Sequence, residues 1–283
     1  MDIIMQRKIA AIITVLLLSC SAKAQFIPPN AEGLEEQLIE LTIDGGVQRG
    51  VLSKRIDQPT GSKLIVLLPG YPSVVRPEMS NGVMVSSPLA GNFLIRARRH
   101  LVDDQVMTLL VDCHSSVGDI CKTEYQASEA RYRHVKAIID AAKIKAPSIK
   151  QVYLLSTSAG SISSAFIAKQ AQEYLSGAIH TASIDPTAPK SYPELTNFNY
   201  AAIGIPQAFI HHTDDPCTIT QYSYIRSVAE KYKIPLITVS GGSGFTGNPC
   251  AANTQHGFKG KETVVMKHIL KMVRGSLWIS EEI

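Results

Sequence analysis

From about residue 36 onward the chain alternates short apolar runs with longer stretches of helical spacing, and this alternation restricts the possible folds more than any other feature. Segments 64–68, 106–111, 152–155, 178–184, 207–210 and 234–239 are short and apolar, the mark of strands buried on both faces. Segments 89–100, 128–142, 161–174, 225–232 and 264–273 carry helical periodicity. In the second of these, Tyr132, Val135, Ile138 and Ile139 share one face. Pro88, just before the first, suits a helix start. Such an order predicts an α/β fold with a mostly parallel, doubly wound sheet and helices on both faces. Ahead of it, segments 36–43 and 47–54 flank Asp44-Gly45-Gly46 and read as an antiparallel leading hairpin at one edge. In open sheets of this kind ligands bind beyond the carboxyl ends of the strands, so the loops that follow strands are where chemistry is expected. Residues 185–204 contain Pro and Asn and are too few for a large lid domain.

One such loop is Ser156-Thr157-Ser158-Ala159-Gly160, which follows the 152–155 strand and opens a helix. A sharp strand-to-helix turn of this type lifts its central serine above the sheet edge and needs small residues two places to either side. Gly160 meets that need, while Ser156 stands where glycine is usual. The helix N-terminus beyond Ser158 favours developing negative charge. A serine-rich helix cap would show the same residue types, so a nucleophile here also requires a base and an orienting acid elsewhere. Two loops offer them. His211-His212-Thr213-Asp214-Asp215-Pro216 follows the 207–210 strand, and His256-Gly257-Phe258 lies between the 234–239 strand and the closing helix.

Serine, then acid, then histidine is the chain order of the α/β-hydrolase superfamily, and the resemblance covers nearly all of residues 36–275. Relatives often carry His-Gly-Thr-Asp-Asp-Pro at the acid loop, with the second aspartate catalytic, and His-Gly-Phe at the base. The resemblance therefore implies Ser158 as nucleophile, Asp215 as acid and His256 as base. His212 replaces the family glycine, which keeps Asp214 as an alternative acid. It also implies two backbone N–H donors for an oxyanion. One belongs to Ala159, and the other to Tyr71 in the Pro69-Gly70-Tyr71-Pro72 loop after the 64–68 strand, where Pro69 replaces a usual histidine. Pro72 has no N–H to offer. The Pro-Gly-Tyr run resembles the corresponding loop of cutinase-like polyester hydrolases, over three residues only.

Arg7 and Lys8 precede an apolar run at 9–18 and the small-residue stretch Ser-Cys-Ser-Ala-Lys-Ala. This reads as a signal peptide over residues 1–24 with cleavage after Ala24, leaving residues 25–283 as one domain in the periplasm or outside the cell. The run is too short for a bilayer-spanning anchor. Leu17-Leu18-Ser19-Cys20 also resembles a lipobox, which would lipidate Cys20. Export permits disulfides among the remaining Cys113, Cys121, Cys217 and Cys250. Four cysteines allow three pairings, and spacing favours Cys113 with Cys121 and Cys217 with Cys250. The alternative is four free thiols.

No metal or cofactor site is evident. Cys113, His114 and Cys121 lack a fourth ligand, and Gly241-Gly242-Ser243-Gly244 does not lead into a helix. With 18% charged residues and a formal net charge of +4, the chain has no basic tract for nucleic acid. The expected partner is a small-molecule or polymeric ester. Peptide or thioester cleavage by the same three residues, and a catalytically silent binding protein, are the alternatives.

Overall fold

The computed structural model describes residues 27–275 and 277–283. The expected signal peptide and Cys20 lie outside them. The order of elements is β1 (Leu34–Ile43), β2 (Gly46–Arg55), β3 (Lys63–Leu68), β4 (Glu78–Ser80), β5 (Val83–Ser86), α1 (Phe93–Arg96), β6 (Val106–Val111), α2 (Thr123–Gln126), α3 (Glu129–Lys145), β7 (Gln151–Thr157) and α4 (Gly160–Gln170). Then follow β8 (Gly177–Thr181), β9 (Gln207–His212), α5 (Tyr222–Tyr232), β10 (Leu236–Val239), α6 (Glu262–Gly275) and β11 (Glu281–Glu282).

Among the described residues, nine strands form one sheet in the order β1-β2-β6-β3-β7-β8-β9-β10-β11. The β1–β2 and β2–β6 pairs are antiparallel, and every pair from β6 to β11 is parallel. The doubly wound α/β expectation therefore holds, with its antiparallel hairpin at the edge. The hairpin turn is one residue tighter than the sequence suggests. Gly46 already pairs with Ile43, leaving Asp44 and Gly45, both at positive φ, as the two-residue turn.

Helices cover both faces. On one, Val135, Ile138 and Ile139 of α3, Ile162 and Ala165 of α4, and Ile225 of α5 pack on Leu64, Val66, Leu154 and Phe209. On the other, Phe93, Leu94 and Ile95 of α1 and Val265, Met266 and Ile269 of α6 pack on Ile65, Leu67, Leu155 and Ile210. The whole run from Leu64 to Leu68 is inaccessible to solvent, because each of its side chains meets one helical layer or the other.

Three sequence expectations change. Segment 89–100 is not one helix: Asn92 accepts a hydrogen bond from Leu94 N–H and starts the short α1, and a 3-10 turn follows at Arg98–Leu101. Tertiary pairing accounts for the break. Arg98 is fully buried and gives two hydrogen bonds, of 2.8 and 2.9 Å, to the buried carboxylate of Glu36 on β1. Ser53 Oγ and Met84 N–H complete that carboxylate at 2.8 and 2.7 Å. A buried ion pair is tolerable when its remaining lone pairs are satisfied in this way. The 178–184 strand stops at Thr181, since Ala182 turns to φ 41°. Finally, the 234–239 strand is not the last, because β11 adds parallel to β10. The β4–β5 hairpin had no sequence forecast.

Candidate active site

Ser158 stands between β7 and α4 at φ 52°, the left-handed region that a non-glycine residue adopts at a cost. Neighbouring groups hold it there. Its N–H donates to Thr181 O on β8 at 3.1 Å, and its carbonyl accepts from Ser161 N–H at 2.8 Å in the first turn of α4. A Cβ at Gly160 would meet the carbonyl oxygens of Leu68 at 2.2 Å and Pro69 at 2.7 Å, so only glycine lets α4 start this close to β3. Ser156, where glycine is usual, is accommodated by a buried hydroxyl chain. Its Oγ lies 2.7 Å from Ser164 Oγ, which lies 2.7 Å from His180 Nδ1. Burial pushes the His180 imidazole down to about 4, so the chain is neutral.

Asp215 and His256 come from the loops after β9 and β10. His256 Nδ1–H donates to Asp215 Oδ2 at 3.0 Å, and both side chains are almost wholly buried. Asp215 Oδ1 accepts from Cys217 N–H at 2.9 Å. Asp214 is exposed and turns away, its N–H donating to His212 Nδ1 at 3.0 Å. His212 in turn donates from Nε2 to Gly241 O at 2.8 Å, tying the end of β9 to the start of the loop that carries His256. The Cys217–Cys250 bridge links the same two loops, and Cys113 is bonded to Cys121.

Two residues that the sequence did not single out stand beside this pair. Thr220, fully buried, donates from Oγ1 to Asp215 Oδ2 at 2.9 Å and accepts from His256 Nδ1 at 3.1 Å. Nothing in the motif marks it beyond a hydroxyl residue a few places after the acid. His211, in the sequence only the first residue of the acid-loop segment, is buried with Nε2 3.7 Å from Asp215 Oδ2.

The loop after β3 is pinned from β6. Asp112 accepts from Val75 N–H at 2.6 Å, Arg76 N–H at 3.0 Å and Cys113 N–H at 2.7 Å. Burial raises the Asp112 carboxyl despite these donors. Cys121 N–H reaches Pro72 O at 2.9 Å, so the Cys113–Cys121 loop also buttresses this turn. Gly70 lies against the serine: a Cβ there would come within 2.9 Å of Ser158 Cβ.

These loops enclose a cavity of about 350 Å³. Ser158, His256, Gly70 and Tyr71 line it, with Leu89, Phe93, Tyr192 and Ile219 as apolar walls. Tyr71 is more than half exposed, and Ala159 is buried behind the serine. Ser158 and His256 share the cavity without a hydrogen bond between them. Thus Ser158, Asp215, His256 and Tyr71 are gathered at one place, and Asp214 is not. Among the described residues no group of three or more His, Cys, Asp or Glu is arranged to hold a metal ion.

A sheet of this order with a strained serine at the end of β7, an acid after β9 and a histidine after β10 has the α/β-hydrolase fold. Solved structures agree on that fold. Est1E from Butyrivibrio proteoclasticus aligns with a TM-score of 0.58 at 14% identity, covering 84% of this chain and 98% of that one. A putative α/β hydrolase from Agrobacterium tumefaciens gives 0.58 at 13%, covering 87% and 100%. An acylaminoacyl peptidase from Pyrococcus horikoshii gives 0.57 at 10%, covering 88% of this chain and 43% of that one. No family model and no curated protein matches the sequence.

Proposed function

We propose that the protein is a serine hydrolase that cleaves carboxylic esters through an acyl-serine intermediate. The observation that supports this most is the meeting, at one cavity, of Ser158 on a strained elbow with a histidine bonded to a buried aspartate. Ser158 Oγ attacks the ester carbonyl while His256 Nε2 takes its proton. Asp215 fixes the ring with Nδ1 protonated, leaving Nε2 free to accept, and balances the imidazolium that forms. The carbonyl oxygen becomes an oxyanion, received by the N–H groups of Ala159 and Tyr71. Collapse expels the alkoxide, which takes the proton from His256. Water then repeats the sequence and releases the acid. In free hydrolases the serine–histidine contact often tightens only as substrate arrives.

The cavity is at the small end for ligand sites, and none of its wall side chains carries a full charge apart from His256 when protonated. This favours an uncharged ester with a short acyl group or a single ring. Est1E, a fold neighbour, has been solved with ferulic acid bound. The apolar stretch at the N-terminus and the two disulfides together favour export.

The test is hydrolysis of p-nitrophenyl acetate and butyrate by the purified protein, wild type against Ser158→Ala. Loss of activity in the variant is expected. Equal rates in both would remove Ser158 from the mechanism. A fluorophosphonate that labels wild type, with neither ester cleaved, would redirect the reading to peptide substrates.

A further inference from the structure

Resting on the triad reading above, one buried group next to it has no part in the mechanism. His211, the fifth residue of β9, is inaccessible to solvent, and neither of its ring nitrogens has a hydrogen-bond partner among the described residues. Burying an imidazole without a protein hydrogen-bond partner costs about 1–3 kcal/mol, so a plain apolar residue would serve the core better. The ring is nearly parallel to that of Tyr222 of α5, with centroids 6.1 Å apart and planes 14° from parallel. Its Nε2 stands 3.7 Å from Asp215 Oδ2. The same oxygen already receives His256 Nδ1 at 3.0 Å and Thr220 Oγ1 at 2.9 Å.

We propose that His211 is a positioning residue for the Asp215–His256 pair: as a neutral ring with its proton on Nε2, it directs that N–H at Oδ2 and draws part of the carboxylate charge away from His256. The distance is beyond a hydrogen bond, so the effect is that of a directed dipole in a buried, low-dielectric site, where such dipoles act strongly. It restrains Asp215 on one side and leaves less of the carboxylate's charge directed at His256.

The surroundings keep the ring neutral. The titratable groups around it are Asp215 from its own loop, His256 from the loop after β10, Tyr222 from α5 and, on the opposite face of the strand, His212. The Tyr222 hydroxyl is turned to Thr238 Oγ1 of β10 at 3.0 Å. Burial outweighs the attraction of Asp215 and pushes His211 down to about 4, so it carries no charge at neutral pH.

Nitrogen-edited NMR of histidine-labelled protein tests this without any need for turnover. In wild type at neutral pH, His211 should appear as the Nε2–H tautomer. The opposite tautomer, or a protonated ring, overturns the proposal even if no variant folds. In His211→Phe, which keeps the stack on Tyr222 but removes the N–H, the midpoint of the His256 ring titration should move upward by about half a pH unit. His211→Gln, which keeps a donor, should stay near wild type. An unchanged midpoint in the Phe variant, or the same rise in the Gln variant, overturns the proposal. These readings are independent of the Ser158→Ala assay, which decides whether the protein is a serine hydrolase.

Discussion

Thr220 Oγ1 lies 3.1 Å from Nδ1 of His256, so the N–H that the histidine gives to Asp215 is shared with a hydroxyl that itself donates to the same carboxylate oxygen. The three groups form a closed triangle, and removing the hydroxyl leaves Oδ2 with one donor fewer. Hydrogen bonds to charged groups contribute about 1.5–3 kcal/mol. Thr220→Val should lower kcat on p-nitrophenyl acetate by about 10-fold or more with KM little changed. Thr220→Ser should recover most of the rate. A Val variant as fast as wild type would leave the hydroxyl with a packing role alone.

The buried Glu36–Arg98 pair joins the leading strand to the turn after α1. Arg98→Met would strand a carboxylate in the core and should cost about 3–5 kcal/mol, read as a lower urea midpoint. Pairing it with Glu36→Leu should recover much of the loss, because no charge then remains unpaired. A double variant no more stable than Arg98→Met would contradict this account.

Two of the buried histidines, His180 and His211, make stability depend on acid. Burial pushes both His180 and His211 down to about 4, from 6.5 in the unfolded chain. The unfolded chain therefore takes up their protons first as pH falls, and their contribution to stability is complete above 6.5 and lost progressively toward 4. At full linkage each contributes about 3 kcal/mol over that window. Urea midpoints measured from pH 7 to pH 4 should fall throughout it, and His180→Gln should flatten the slope. A midpoint independent of pH across that range would contradict the burial argument.

The Cys217–Cys250 bridge closes a loop with a sequence separation of 33. The chain-entropy model assigns such a loop about 3–4 kcal/mol. A Cys217→Ser, Cys250→Ser double variant should melt at lower temperature, and it should lose activity before it unfolds, since the bridge spans the loops that bring Asp215 to His256. Activity that survives up to the lowered melting temperature would show that His212 and Thr220 suffice to hold them.

What could be read in the sequence was what local geometry enforces. Ser158 was legible because the elbow requires small neighbours, and the clash a Cβ at Gly160 would make with Leu68 O shows how strict that is. His211, Thr220 and Asp112 were not legible, because each acts across space on a partner that only the fold brings near. Segment 89–100 misled for a similar reason. Its apolar spacing suits a helix and a string of tight turns equally, and the Arg98–Glu36 pairing decided between them. β11 carries no apolar signal at all, since Glu281 and Glu282 join the sheet through their backbones.

The cavity walls divide into two kinds. Gly70 meets Ser158 so closely that a Cβ there would lie 2.9 Å from Ser158 Cβ, whereas Leu89, Tyr192 and Ile219 line the cavity from separate loops. Substitutions at the second group should leave the Asp215–His256 hydrogen bond in place, since none of these three residues takes part in it. The molecule thus separates the residues that shape its cavity from those that hold the Ser158 elbow and the Asp215–His256 pair, so the cavity's shape can change one wall at a time.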